Sequence, residues 1–376
     1  MRNTARNLLA VLLGIGAAAS TLCAAEGVSR GGAVFVMTND ASRNEIVAYE
    51  RTPEGMLYNR ARYATGGRGS GGVTDPLESQ GSLTLSQDRS LLFAVNAGSG
   101  TVSVFTVHGA FLFLRDRAAS GGSEPVAVAQ WRDLVYVLNQ GGSGSVVAFR
   151  LEAGGRLRQI RNSTVFLTAN ATGGSSLSIS PDGRFLTVVE RLANKIDAFQ
   201  IKSDGTLAHI VANSSPGAGA FSAIFAPEGN LLVSETGVAG VMNGSAASSY
   251  AITQDGMLSA FTQSIPTLGA ANCWNAVTPD GRWVYFSNAG SATIAGFAIG
   301  KTGQLTPIGG TIVGTNPEGS TNLDIAITAN GRYLYTLNSG TGTIGIFKIQ
   351  QDGTLLSLGE AGELPANSGL NGIAAL

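Results

Sequence analysis

Charged side chains are scarce in this chain. They make up 13% of its 376 residues and leave a formal net charge of −1, whereas an average soluble protein devotes about a quarter of its residues to charge. No basic surplus is available for phosphate backbones or an anionic membrane surface. Nucleic acid and polybasic membrane contact are therefore excluded as organising partners. Cysteine occurs only at Cys23 and Cys273, and histidine only at His108 and His209. No His or Cys cluster has zinc-ligand spacing, and there is no Cys-x-x-Cys-His haem site. The Gly-x-x-x-x-Gly-Lys phosphate loop and the Gly-x-Ser-x-Gly nucleophile elbow are also missing. From these patterns neither a metal centre nor a cofactor is expected.

Long hydrophobic runs are lacking too. The N-terminal apolar run, Leu8 to Ala19, falls short of the roughly 20 residues a spanning helix needs. It follows Arg2 and Arg6 and precedes the small residues Ala24 and Ala25. That order reads as a signal peptide over residues 1–25, with a secreted or periplasmic mature chain from residue 26 to 376. A lipoprotein signal with Cys23 lipidated and a retained anchor are the alternatives. Cleavage at Ala25 leaves Cys273 alone, so no internal disulfide can staple the fold.

Glycine is what the chain has in excess, at 52 residues. Glycine costs about 1 kcal/mol per helix-interior site relative to alanine, which argues against an all-helical protein. Glycine and proline together stay below the roughly 25–30% of low-complexity chains, and the apolar share of 44% suffices for a core. The glycines sit in a repeat. A short β-rich run ending in Asn or Glu recurs seven times, at Val34–Asn39, Leu91–Asn96, Leu134–Asn139, Phe185–Glu190, Asn230–Glu235, Trp283–Asn288 and Tyr333–Asn338. Before most copies stands a small-and-apolar strand with a tight turn, such as Pro181-Asp182-Gly183. After them come a glycine-rich loop, a strand ending in an aromatic residue, and a second turn such as Asp204-Gly205 or Asp352-Gly353. Asp-Gly between alternating apolar runs is a strong hairpin signal.

Four antiparallel strands in about 50 residues, seven times over, describe an all-β, seven-bladed β-propeller. The first copy has no preceding inner strand. The closing segment Leu370 to Leu376 aligns with the inner strand Asn322 to Thr328. The C-terminal strand is therefore expected to join the N-terminal blade and close the ring.

The run Ser180-Pro181-Asp182-Gly183-Arg184-Phe185-Leu186, with the Asn-x-Gly-Ser-Gly-Thr loop at Asn96–Thr101 and a strand ending in Phe105, resembles the seven-bladed lactonase family. That family includes propeller-type 6-phosphogluconolactonases and carboxymuconate-cyclase-like proteins, and similar repeats occur in bacterial surface propellers. The resemblance covers about residues 31–376. It implies a lactone-hydrolysing or lactone-forming activity on a small molecule.

Candidate site residues are those that break the repeat on one face of the ring. Five copies end their second strand in Asn, while the fourth and fifth end in Glu190 and Glu235. Paired carboxylates on adjacent blades can divide acid and base roles, at a useful separation of about 5–9 Å. Alternatively, each forms a structural ion pair, as Glu190 would with Arg191 or Lys195. Asn96, Asn139, Asn288 and Asn338 either cap their strands or face a substrate. Trp274 stands where other copies have small residues, as a channel plug or a stacking wall. Asp324 aligns with it in the seventh copy. Cys273 reads as a buried inert thiol, or as a nucleophile if a base activates it. Neither histidine falls on an inner strand. The loop from Glu235 to Tyr250 is longer than its counterparts, as binding loops often are.

Two functions remain open. One is a secreted lactonase-family enzyme with Glu190 and Glu235 as catalytic residues and Trp274, Asp324 and the four asparagines binding substrate. The other is a non-catalytic ligand- or protein-binding propeller of the cell envelope. A monomer is expected in either case.

Overall fold

The computed structural model describes residues 32–376, which form one unit. The signal peptide expected at 1–25 lies outside the described residues. Seven sheets follow one another around a ring. Blade 1 holds β1 (Gly32–Met37), β2 (Glu45–Arg51) and β3 (Leu57–Ala64). Blade 2 holds β4 (Leu83–Leu85), β5 (Leu91–Asn96), β6 (Thr101–His108) and β7 (Phe111–Ala119). Blade 3 holds β8 (Pro125–Trp131), β9 (Leu134–Asn139) and β10 (Ser145–Glu152), with its outer strand broken into β11 (Arg156–Gln159) and β12 (Val165–Phe166). Blade 4 holds β13 (Gly174–Ile179), β14 (Phe185–Glu190), β15 (Lys195–Gln200) and β16 (Val211–Ser214). Blade 5 holds β17 (Ala220–Phe225), β18 (Leu231–Glu235), β19 (Ala246–Ile252) and β20 (Leu258–Pro266). Blade 6 holds β21 (Asn272–Val277), β22 (Trp283–Asn288), β23 (Thr293–Ile299) and β24 (Leu305–Thr315). Blade 7 holds β25 (Asn322–Ile327), β26 (Tyr333–Asn338), β27 (Thr343–Ile349) and β28 (Leu355–Ala361), and β29 (Ile373–Ala375) completes blade 1.

That last strand closes the ring as the sequence predicts. β29 pairs antiparallel with β1, with Phe35 opposite Ala374, and Leu376 N–H donates to Ala33 O at 2.8 Å. No helix among the described residues is long and apolar enough to cross a membrane.

The second strand of each blade is buried on both faces, which is why it reads as a near-continuous apolar run. Each such Val, Leu or Ile contributes roughly 1.5–3 kcal/mol by leaving water. Polar contacts lock blade to blade at the rim. The hydroxyls of Tyr136, Tyr285 and Tyr335 donate to Gly205, Gly353 and Gly55 carbonyls in the hairpin turn of the next blade, at 2.9, 2.7 and 2.8 Å. Those glycines have φ of +87°, +83° and +95°, a region where a Cβ is strained.

The inner strands share a device that matters for the site. Where β8, β13, β17, β21 and β25 pair with the second strands, the register slips at Val126, Ser175, Phe221, Cys273 and Asp324. Such bulges re-aim side chains.

Candidate functional site

The connection between β3 and β4, residues 65–82, crosses the centre of the ring. Gln80 N–H donates to Ser175 O on blade 4 at 2.8 Å, and its side chain exchanges two hydrogen bonds with the Asn275 backbone on blade 6, at 2.6 and 3.2 Å. Ser79 Oγ donates to Val126 O on blade 3 at 3.0 Å, and Ser79 O accepts from Trp274 Nε1 at 2.9 Å. One short segment thus ties three blades together and plugs the channel. Trp274, for which a channel plug and a stacking wall were the alternatives, bonds to this segment. It is 1% exposed and clamps the plug, and it also lines a cavity.

That cavity has a volume of about 540 Å³ and lies beside the plug, between blades 6 and 7. Asp75 and Thr74 from the crossing segment form one side, and Cys273, Trp274, Leu323 and Asn316 contribute to the rest. Asp75 Oδ1 accepts from Asn371 Nδ2 at 2.8 Å and from Glu78 N–H at 3.0 Å. Lost hydration in the recess pushes the Asp75 carboxyl up to about 7, against the pull of Asn371 and of the nearby Arg191 charge. Arg191 in turn is ion-paired with Glu78. The Cys273 thiol is buried and its pKa is raised well above normal by desolvation, so it is a poor nucleophile. Asn316 is 4% exposed; its Oδ1 accepts from Thr336 at 2.8 Å, while its Nδ2 has no partner among the described residues.

Asp324 faces a different space. It lines a second cavity of about 470 Å³, formed by the inner strands on the far side of the plug. Its carboxylate accepts from Ile325 and Ile373 N–H groups, and burial raises it to about 7. Its charge is felt by Asp75.

The other residues singled out in the sequence lie in the joints between blades. Asn96, Asn139, Glu190, Glu235, Asn288 and Asn338 are all fully buried. Each reaches the connection or the outer strand beside it. Asn96 accepts from Thr65 at 2.6 Å, Asn288 from Thr267 at 3.0 Å, Glu190 from Thr168 at 2.7 Å and Glu235 from Ser215 at 3.4 Å. Asn139 donates to Ser120 O at 3.4 Å, and Asn338 donates to Glu360 at 2.8 Å. Glu190 and Glu235 thus occupy different joints and share no hydrogen-bond partner. A glycine two residues after Thr65, Ser120, Ser215 or Thr267 packs directly on the Asn or Glu of the following blade. At Gly122 an added Cβ would lie 2.7 Å from Asn139 Cγ.

Glu190 does have a carboxyl partner, Asp197 of β15. Burial pushes Glu190 up, but hydrogen bonds from Asp197 and Thr168 outweigh it and leave it lowered. Asp197, fully buried beside that charge, rises to about 9. Glu235 is raised by burial despite bonds from Ser248 and Ser215, and its Oε2 is buried without a partner among the described residues.

Sequence reasoning therefore missed Asp75, Asn316, Asn371 and Asp197. Asp75 and Asn316 lie in connections outside the repeat, and Asn371 at the start of the closing segment just before β29. Asp197 is an acid within a strand whose counterparts are apolar or small, which was a visible signal.

The comparisons with known proteins agree with this architecture. The family described as Lactonase, 7-bladed beta-propeller matches residues 84–273 and 275–367. No curated protein sequence matches the chain. Among solved structures, the chain is similar to the periplasmic gluconolactonase of Pseudomonas aeruginosa, with TM-score 0.71, 18% identity, and coverage of 92% of this chain and 99% of that one. It is similar to a candidate 6-phosphogluconolactonase of Bacteroides uniformis, with TM-score 0.69, 19% identity, and coverage of 92% and 100%. It is also similar to a Lactobacillus plantarum protein, with TM-score 0.71, 18% identity, and coverage of 92% and 99%. At such identities the likeness concerns the fold, whereas the family match spans most of the sequence. With seven blades, a closing C-terminal strand and that match together, the chain belongs to the seven-bladed β-propeller lactonase family.

Proposed function

We propose that this protein is an exported lactonase that opens a lactone ring in the cavity between blades 6 and 7. The observation that carries this reading is Asp75, a carboxylate on the cavity wall. One of its oxygens is fixed by Asn371 and Glu78, and the other has no partner among the described residues. Export is supported by Arg2 and Arg6 ahead of the apolar run Leu8–Ala19.

In this reading Asp75 takes a proton from water as the water oxygen bonds to the lactone carbonyl carbon. The carbonyl becomes an oxyanion, which a hydrogen-bond donor of the wall would stabilise. Collapse of the tetrahedral centre breaks the ring C–O bond. The proton passes from Asp75 to the leaving oxygen, and a hydroxy acid results. A base is most useful with a pKa near the working pH, and the recess places Asp75 there. Trp274, fully buried with its N–H committed to Ser79, backs the cavity and holds the plug beside it. Asp324 bears on the site through its charge. Glu190, Glu235, Asn96, Asn139, Asn288 and Asn338 serve as joint residues.

The deciding experiment measures hydrolysis of a panel of lactones by the purified protein and by Asp75→Asn. Loss of about 10²–10⁴-fold in kcat/KM, with melting little changed, is the expected result. Full turnover by Asp75→Asn would move the chemistry elsewhere. Binding without turnover on the whole panel would favour the ligand-binding alternative.

A further inference from the structure

Resting on the lactonase reading, we propose that the ring opened here is uncharged and carries an apolar substituent, and is not a phosphorylated sugar lactone. Among the described residues, the cavity wall contains no Lys, Arg or His. Its acidic side chains are Asp75 and Glu318, beside the neutral thiol of Cys273. A phosphate dianion entering this space would meet like charge with no fixed cation, an arrangement that repels rather than recruits it. Arg191 is the guanidinium nearest to Asp75 and Cys273 in charge effect, and it is taken by Glu78.

Most of the remaining wall surface is apolar, although the hydroxyls of Thr74, Ser291, Thr315 and Thr321 and the Asn316 amide also border it. Ala271, Ala289, Ala292 and Leu323 line it, with the Trp274 ring. Its volume of about 540 Å³ lies in the range of pockets that enclose a drug-sized ligand, with room beyond a bare lactone ring. The apolar character continues outward. Val73, 60% exposed, is next to the wall residue Thr74, and Leu268, 51% exposed, lies in the connection that supplies Ala271. The longer loop between β18 and β19, on the same face of the ring, exposes Val238, Val241 and Met242. Large apolar side chains held in water on the face that bears the cavity mark a surface for apolar groups.

The test compares kcat/KM of the purified protein for δ-decalactone, glucono-1,5-lactone and 6-phosphoglucono-1,5-lactone, each corrected for spontaneous opening. δ-Decalactone is expected to exceed gluconolactone by at least tenfold, with the phosphorylated lactone slowest. Glu318→Lys is expected to raise the phosphorylated lactone several-fold relative to gluconolactone, because it places a cation at the wall. Equal or faster opening of either sugar lactone would overturn this inference and leave the lactonase reading standing. No turnover of any of the three would overturn both.

Discussion

The carboxyl groups of Glu190 and Asp197 lie on neighbouring strands of blade 4 inside a fully buried joint, where each shifts the other's ionisation and neither Asp197 oxygen has another partner among the described residues. Their ionisation is driven apart, Glu190 lowered and Asp197 raised. Glu190 keeps its charge because Thr168 also donates to it through both its N–H and its hydroxyl, at 2.8 and 2.7 Å. Asp197 holds the proton because burial and the adjacent charge both oppose its ionisation.

A pH-dependent stability follows for Asp197. An unfolded aspartate titrates near 3.9, and this one near 9 when folded. The folded state therefore binds the extra proton between those values, and stability from this group falls as pH rises from about 4 to about 9. Asp197→Asn supplies a permanent N–H donor to Glu190. Its melting temperature should gain on the wild type progressively from pH 5 to pH 8. A gain independent of pH would refute the raised Asp197.

The two glutamates should respond differently to amidation. Glu190 is lowered by its donors and Glu235 is raised by burial. Glu190→Gln should thus cost about 1–3 kcal/mol by weakening charged hydrogen bonds, while Glu235→Gln should be close to neutral. Turnover should stay within a few-fold in both, measured beside thermal melting. A hundredfold loss of turnover with unchanged melting would return catalysis to these residues.

If Asp75 is the base, kcat/KM should rise with pH as it ionises, with a midpoint near its value of about 7. Asp75→Asn should abolish that limb of the profile. A wild-type profile flat from pH 5 to 9 would exclude this role.

The Trp274 clamp can be tested by Trp274→Phe. It loses the 2.9 Å bond to Ser79 and leaves a buried carbonyl with one partner fewer. A cost of about 1–3 kcal/mol is expected, read by thermal melting. Hydrogen exchange should also quicken in residues 73–80, which distinguishes a loosened plug from general weakening.

Deleting Leu370–Leu376 should be far more damaging than trimming an ordinary tail, because it removes β29 and reopens the inner edge of β1. An unchanged melting temperature would contradict the closure.

The blades were legible because their grammar is local. The second strands of blades 2, 3, 4, 6 and 7 begin and end where the apolar runs do, at Leu91–Asn96, Leu134–Asn139, Phe185–Glu190, Trp283–Asn288 and Tyr333–Asn338. The Asp-Gly turns follow because the glycine φ is positive, as at Gly183 and Gly281. The site was not legible in the same way. Asp75 meets Asn371 across 296 positions of sequence, and no periodicity reports a contact that exists only once the ring has closed. The asparagines that end the strands were visible. Their partners were hidden in the Ser/Thr-x-Gly steps at Thr65, Ser120, Ser215 and Thr267, which recur but lie outside the strands.

Asn371 gives ring closure a second meaning. It stands two residues before β29, its backbone donates to Met37 O, and its side chain holds Asp75. The same few residues therefore finish the seam and set the reactive recess. A chain lacking them would keep six sound blades but leave the edge of β1 open and Asp75 without its Asn371 bond.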